Sequence, residues 1–388
     1  MRRIYLDNSA TTPLCDEAIG SMNAAMAAFG NPSSLHSVGL EAEKLVEEAR
    51  EWVGTALGVK MMKPGQLVFT SGGTEANNLA IRGVAYAKAR RLGGKIITTD
   101  SEHASVEAVM RSLEKEGFEV VRIGTRGGVL NLAQLEAALD DRVILVSMMM
   151  VNNETGALYD LARAFSMVKA KCPQAVTHCD AVQGFMKVKF SPASIFADLV
   201  SISAHKIHGP KGVGGLYISR DVLTQKKIVP ILHGGGQEFG LRSGTENVIG
   251  IAGFGGAVKE NYRKLDVSIE RLAALREYAA LKLSALELTL NIPLDTCAPH
   301  IINLTLPRIK SETMLHYLSG EGVFVSSGSA CSSHAHTPSS ALMAFGLSAA
   351  DADCSLRVSL SADNTEEDID VLANALKNAL AVLVRIRK

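Results

Sequence analysis

Seven short apolar runs, separated for the most part by helical stretches, constrain this chain more than any other feature. They are Gln66-Leu67-Val68-Phe69, Lys95 to Thr99, Val120 to Ile123, Val143 to Ser147, the segment from Val176, the segment from Leu199, and Gly214 to Ile218. Runs this short read as buried strands. Strands alternating with helices build a mostly parallel sheet with helices on its faces, because parallel neighbours need a crossover connection. Helical spacing of apolar residues predicts helices over 38–58, from about Ala76, and from Leu132 to Leu139. The pattern changes after about residue 260. A long charged helix is predicted from about Val267 to Leu288, followed by mixed elements. A last helix opens at Thr365-Glu366-Glu367-Asp368, a capping-box start.

The ends of two of these strands carry chemistry. Lys206 follows Leu199-Val200-Ser201-Ile202-Ser203 and lies in Ser203-Ala204-His205-Lys206-Ile207-His208-Gly209-Pro210-Lys211-Gly212. Lysine is costly to bury. A desolvated lysine amine is a nucleophile that forms Schiff bases with carbonyls. Taken alone, Lys206 reads more readily as a surface lysine at a strand-to-loop junction. Asp180, however, ends the run from Val176, so both would lie at one edge of a parallel sheet, where α/β proteins bind ligands. A carbonyl held by lysine beside a carboxylate is the arrangement pyridoxal phosphate requires, since the acid keeps its ring nitrogen protonated.

Further candidates share that edge. Ser71-Gly72-Gly73-Thr74-Glu75 follows a strand and opens a helix, and amides at a helix N-terminus bind phosphate. A plain strand-to-helix turn is the other reading. His103 ends the second strand, where it could stack on a ring and move protons. In Asn152-Asn153-Glu154, the asparagines read either as a turn or as hydrogen-bond donors to ligand; Gln183 could also donate to a ring oxygen. Arg357, in an apolar strand-like segment, needs an anion: either the carboxylate of a substrate or a structural acid.

Composition excludes other classes. Forty Lys and Arg balance forty Asp and Glu, so nothing points to nucleic acid or an anionic membrane surface. No apolar run approaches the ~20 residues of a membrane span. The N-terminal residues lack the apolar core of a signal peptide, so a cytoplasmic protein is expected. The six cysteines, at 15, 172, 179, 297, 331 and 354, form no C-x-x-C pair. Neither disulfides nor a metal site are expected. Five read as small hydrophobes. Cys331 differs, lying in the small, polar run from Ser326 to His336, where an exposed and mobile thiol is expected.

Taken in order, Tyr5 to Pro13, Gly30 to Ser34, Thr70 to Asn77, Glu102-His103, Val151 to Gly156, Asp180 to Gln183, Ser203 to Gly212, Arg242 to Thr245, Ser326 to Cys331 and Arg357 resemble the NifS- and IscS-type cysteine desulfurases, which are fold-type I pyridoxal-phosphate enzymes. The resemblance implies a large cofactor-binding domain with a mostly parallel seven-stranded sheet over 15–260. It implies a smaller α+β domain from 1–14 with 261–388. Lys206 would hold the cofactor as a Schiff base, Asp180 would pair with its ring nitrogen, Gln183 with its ring oxygen, and His103 would stack and transfer protons. Gly73, Thr74, Ser203 and His205 would hold the phosphate. Thr245 would reach the phosphate of a neighbouring subunit, which implies a homodimer. Asn153 and Arg357 would position L-cysteine, and Cys331 would take its sulfur as a persulfide, leaving L-alanine. A scaffold or carrier protein would accept the sulfur for iron–sulfur clusters, thio-cofactors or tRNA. An aminotransferase or a selenocysteine lyase would also use Lys206 and Asp180, but an aminotransferase would need no Cys331; a non-catalytic subunit of the same fold, serving as a binding module, would not need the lysine, aspartate, histidine and loop cysteine together.

Overall fold

The structure, a computed structural model, describes residues 3–59, 61–87, 94–291, 297–327 and 338–383. After β1 (Ile4–Tyr5), α1 (Asp16–Ala27) and α2 (Ser37–Ala56), the chain builds its principal sheet. The sheet comprises β2 (Leu67–Thr70), β3 (Lys95–Thr99), β4 (Glu119–Ile123), β5 (Val143–Met149), β6 (Val176–Asp180), β7 (Leu199–Ser203) and β8 (Gly214–Ile218). Between them lie α3 (Gly73–Tyr86), α4 (Ala104–Lys115), α5 (Leu132–Ala138) and α6 (Leu161–Lys171). The strand order is β2-β8-β7-β6-β5-β3-β4, and only β8 runs against the rest. All seven predicted strands are present in a mostly parallel sheet, as the alternation requires.

Apart from the edge strand β4, the strands are buried on both faces of the sheet, which is why they read as largely apolar runs. Side chains alternate between faces. Val68, Ile96 and Leu199 pack with α3 and α4, whereas Leu67, Ile97 and Val200 pack with residues of α2 and α6. This alternation leaves the carboxyl ends of the parallel strands at one edge.

α7 (Arg220–Thr224) follows β8, and α8 (Val248–Ser284) then runs out of this layer. Beyond it lie β9 (Thr289–Leu290), β10 (Ile301–Thr305), α9 (Ser311–Gly320), β11 (Val323–Phe324), β12 (Ser326–Ser327), α10 (Ser340–Ala344), α11 (Ala349–Asp353), β13 (Ser355–Ser359) and α12 (Glu366–Val382). The order β12-β13-β10-β9 forms an antiparallel sheet, and β1 pairs with β11. Ile4 and Leu6 share a second apolar cluster with Leu304, Leu356, Leu372 and Leu376. The capping box at Thr365 is present, with Asp368 returning the hydrogen bond.

The long helix differs from the sequence expectation. It begins at Val248, not near Val267, and the side chain of Asn247 caps it. Glycine weakens a helix, and Gly250, Gly253, Gly255 and Gly256 hide this half from a periodicity search. Packing is the reason they are there. A Cβ on Gly255 would lie 2.7 Å from Ala49 Cα, and one on Gly256 would lie 2.5 Å from the Glu17 carbonyl oxygen. No described helix is long and apolar enough to cross a membrane.

Candidate active site

The carboxyl ends of β2, β3, β5, β6 and β7 open onto a cavity of about 310 Å³. Gly73, Thr74, His103, Asn153, Asp180, Gln183, Ser203, His205, Lys206 and Arg357 all line it. Sheet register explains the convergence. Met149 at the end of β5 pairs with Asp180 at the end of β6, which pairs in turn with Ser201 on β7.

Lys206 closes a single 3-10 turn after β7. Its Nζ donates to the carbonyl oxygens of Ser9 and Ala10, the latter at 2.9 Å. The N-terminal segment thus returns to aim the amine, a role the sequence did not suggest for Ser9 and Ala10. Asp180 is buried at 4% exposure. Its Oδ1 accepts from the Val182 N–H at 3.0 Å and its Oδ2 from Asn77 Nδ2 at 2.7 Å. Gln183 donates through Nε2 to Ser9 O at 3.0 Å, and its buried Oε1 has no hydrogen-bond partner among the described residues.

The strand-to-helix turn supplies an anion end. α3 begins at Gly73, where a Cβ would lie 2.7 Å from Val182 Cγ2. Only glycine fits without a shift. Ser203 Oγ is buried and likewise without a described partner. Burial, followed by the charges of Lys206 and Lys211, pushes His205 down to about 4, so at neutral pH it is an uncharged group beside the turn. Glu75 ties the turn together, accepting from the Ser71 N–H at 2.7 Å and from Arg242 Nε at 2.8 Å. Buried polar atoms are ordinarily paired. The idle oxygens of Ser203 and Gln183, with the helix N-terminus, fit a polar ligand carrying an anionic group at one end.

The two asparagines divide the two readings between them. Asn152 makes the turn: its Oδ1 accepts from the N–H groups of Glu154 and Thr155, and its Nδ2 donates to Ser101 O. That turn presents Asn153 to the cavity. Arg357, on strand β13, has a structural acid and also lines the cavity. Its Nη2 pairs with Asp7 Oδ1 at 2.7 Å and its Nη1 donates to Asn153 O at 2.9 Å. Its Nε has no described hydrogen-bond partner.

Two predicted residues stand apart. Thr245 does not line this cavity. It lies beside Ser71, Gly212 and Arg242 in a neighbouring recess and is exposed. Cys331 lies outside the described residues, but both flanks of its segment reach the site. Ser326 pairs with Arg357 across β12 and β13, and Ser339 donates to Glu154. Burial raises the thiols of Cys15, Cys172, Cys179 and Cys354, Cys15 to about 11. These four are therefore poor nucleophiles.

Several residues at the site were not singled out from sequence. Asn77 and Ser105 bridge Asp180 and His103. Glu102 is buried under the strand ends, and Glu154 is pushed up to about 7 by burial. Asn77 had one legible signal: it is a polar residue on the face of α3 that otherwise carries Ala76, Leu79 and Ala80.

Comparison with known proteins identifies the family. The family described as aminotransferase class-V matches residues 4–372. A cysteine desulfurase IscS from Dictyoglomus turgidum is 39% identical over 386 residues, covering 98% of this chain and 95% of that one. A cysteine desulfurase IscS from Clostridium botulinum is 40% identical over 381 residues, covering 97% and 94%. Among solved structures, a NifS-like protein superposes with a TM-score of 0.91 at 36% identity, covering 98% of this chain and all 100% of that one. SspA in complex with cysteine superposes with a TM-score of 0.80 at 32% identity, covering 94% and 100%. The chain belongs to the class-V aminotransferase family and, within it, to the NifS- and IscS-type cysteine desulfurases.

Proposed function

We propose that this protein is a cytoplasmic, pyridoxal-phosphate-dependent enzyme that converts L-cysteine to L-alanine and passes the sulfur to Cys331 as a persulfide. The observation that carries the reading is the convergence of Lys206, Asp180, His103, Gln183 and Arg357 on one cavity with a helix N-terminus at its end. When bound, pyridoxal phosphate supplies an electron sink for negative charge at the substrate α-carbon. Lys206 holds its aldehyde carbon, Asp180 its ring nitrogen and Gln183 its ring oxygen. Gly73, Thr74, Ser203 and His205 hold its phosphate.

The chain's own residues do the rest. Arg357 binds the substrate carboxylate through the edge that Asp7 and Asn153 leave available, and Asn153 orients the substrate beside it. His103, which lines the cavity, would stack on the ring and take part in proton transfer. The Cys331 thiolate receives the sulfur; the anchoring of Ser326 beside Arg357 and of Ser339 on Glu154 supports its access. A scaffold or carrier protein then accepts the persulfide sulfur. The homodimer is supported by the exposed Thr245 and by Phe29 and Leu35, apolar residues at 85% and 94% exposure. In that dimer Thr245 reaches the partner's phosphate site.

The test is direct. Purified protein loaded with pyridoxal phosphate is given L-cysteine, with and without an added thiol. Equimolar alanine and sulfide in the presence of thiol is the expected result. Pyruvate, or no alanine, would reject the reading.

A further inference from the structure

A run of hydrogen bonds, buried up to its last, part-buried link, leads from Asp180 to the ring of His103, and its two linking residues have no role so far. Asn77, on α3, donates through Nδ2 to Asp180 Oδ2 at 2.7 Å and to Ser105 Oγ at 2.9 Å. Its Oδ1 has no hydrogen-bond partner among the described residues. The reverse amide orientation would set that oxygen against the Asp180 carboxylate, acceptor against acceptor. The carboxylate therefore fixes the amide.

The direction of the run then propagates. Ser105 Oγ accepts from Asn77, so its own hydrogen is left for His103 Nδ1, 2.8 Å away. His103 is the N-cap of α4, and the backbone N–H of Ser105 points at the same Nδ1 at 3.1 Å. A ring nitrogen that faces two donors holds a lone pair, so the ring hydrogen sits on Nε2. The positive end of α4 also disfavours a second proton on the ring. Charged and titratable groups from several elements face the ring. Glu154, from the turn after β5, is an acid whose charge couples to His103. Glu102 precedes it and is held uncharged to about pH 8, chiefly by burial. Asp180 acts through the run itself, and Lys206, His205 and Arg357 line the same cavity.

Resting on the functional reading above, we infer that Asn77 and Ser105 are positioning residues that hold His103 as the neutral Nε2–H tautomer. His103 thus enters the reaction as a hydrogen-bond donor through Nε2.

The experiment is long-range proton–nitrogen correlation spectroscopy of the pyridoxal-phosphate-loaded protein, labelled at histidine nitrogen, at neutral pH. The signals lost in His103→Gln assign the ring. Nδ1 is expected to resonate as an unprotonated nitrogen and Nε2 as a protonated one. In Ser105→Ala, and in Asn77→Ala, where the serine hydroxyl can turn away, the Nδ1 signal should shift further toward that of a free unprotonated nitrogen. Ser105→Thr, which keeps the hydroxyl, should restore it. A protonated Nδ1 in the parent protein overturns the inference whether or not the variants fold. Folded alanine variants with the parent's signals would also overturn it. Absent cysteine turnover in a parent protein with the expected tautomer would count against the functional reading alone.

Discussion

Glu102 shows how burial sets the charge of a residue beside the site. Its Oε1 accepts from the Thr99 hydroxyl at 2.6 Å and the Met149 N–H at 3.0 Å, while Oε2 has no described partner. Burial, with the nearby Asp180 charge as a lesser cause, pushes it from 4.5 up to about 8. Such a carboxyl binds its proton more tightly in the folded state. Its contribution is fully present below the unfolded value and is lost as pH rises through about 8. Glu102→Gln carries a permanently neutral group and removes that dependence. Denaturant midpoints of parent and variant should therefore diverge between about pH 5 and 8, the parent losing stability relative to the variant. A constant difference across that window would show that Glu102 is ionised throughout. Arg357 makes a second case. Arg357→Ala removes a charged hydrogen-bond donor worth roughly 1.5–3 kcal/mol, so the KM for cysteine should rise about tenfold to a hundredfold. The absorbance of the bound cofactor should be unchanged. Loss of cofactor with an unaltered KM would contradict its assignment to the substrate carboxylate.

At the scale of elements, the site depends on pieces far apart in sequence being held in register. α8 is the longest of these. Its first half packs into the cluster around the principal sheet through Ile251 and Phe254, and its second half into the other cluster through Leu272 and Leu275. The bare glycine face of the first half lets α1 and α2 approach closely. Gly255→Val should destabilise by about 1–3 kcal/mol or more, because the new side chain meets Ala49, and overpacking outweighs the small gain in helix propensity. Equilibrium unfolding in denaturant measures this, and an unchanged or raised midpoint would refute the close-packing account. The Arg50–Glu238 pair acts similarly on the loop that follows α7. Glu238 accepts from both terminal guanidinium nitrogens of Arg50 and from the Phe69 N–H at 2.7 Å. It thereby holds the segment carrying Arg242 against the turn at Glu75.

For the whole molecule, the principal sheet was legible because all its strands except the edge strand β4 are buried along their length and so read as largely apolar runs. Lys206 and Asp180 were legible because each is a charged residue at the end of such a run. The N-terminal half of α8 was not, since four glycines erase the periodicity that packing makes unnecessary. Asn77, Ser105 and Glu154 were missed because a polar residue in a helix or turn looks solvated until the fold buries it. The split between Asn152 and Asn153 needed coordinates, since both readings suit the same dipeptide.

The central claim is that cysteine sulfur leaves its carbon in this cavity and is taken up by Cys331. Mass spectrometry of the protein after L-cysteine treatment, with each cysteine replaced in turn by serine, tests it most directly. One added sulfur on the Cys331 peptide is predicted, absent from Cys331→Ser and retained when Cys15, Cys172, Cys179, Cys297 or Cys354 is replaced. Sulfur that persists in Cys331→Ser and disappears with one of the other five would contradict the account.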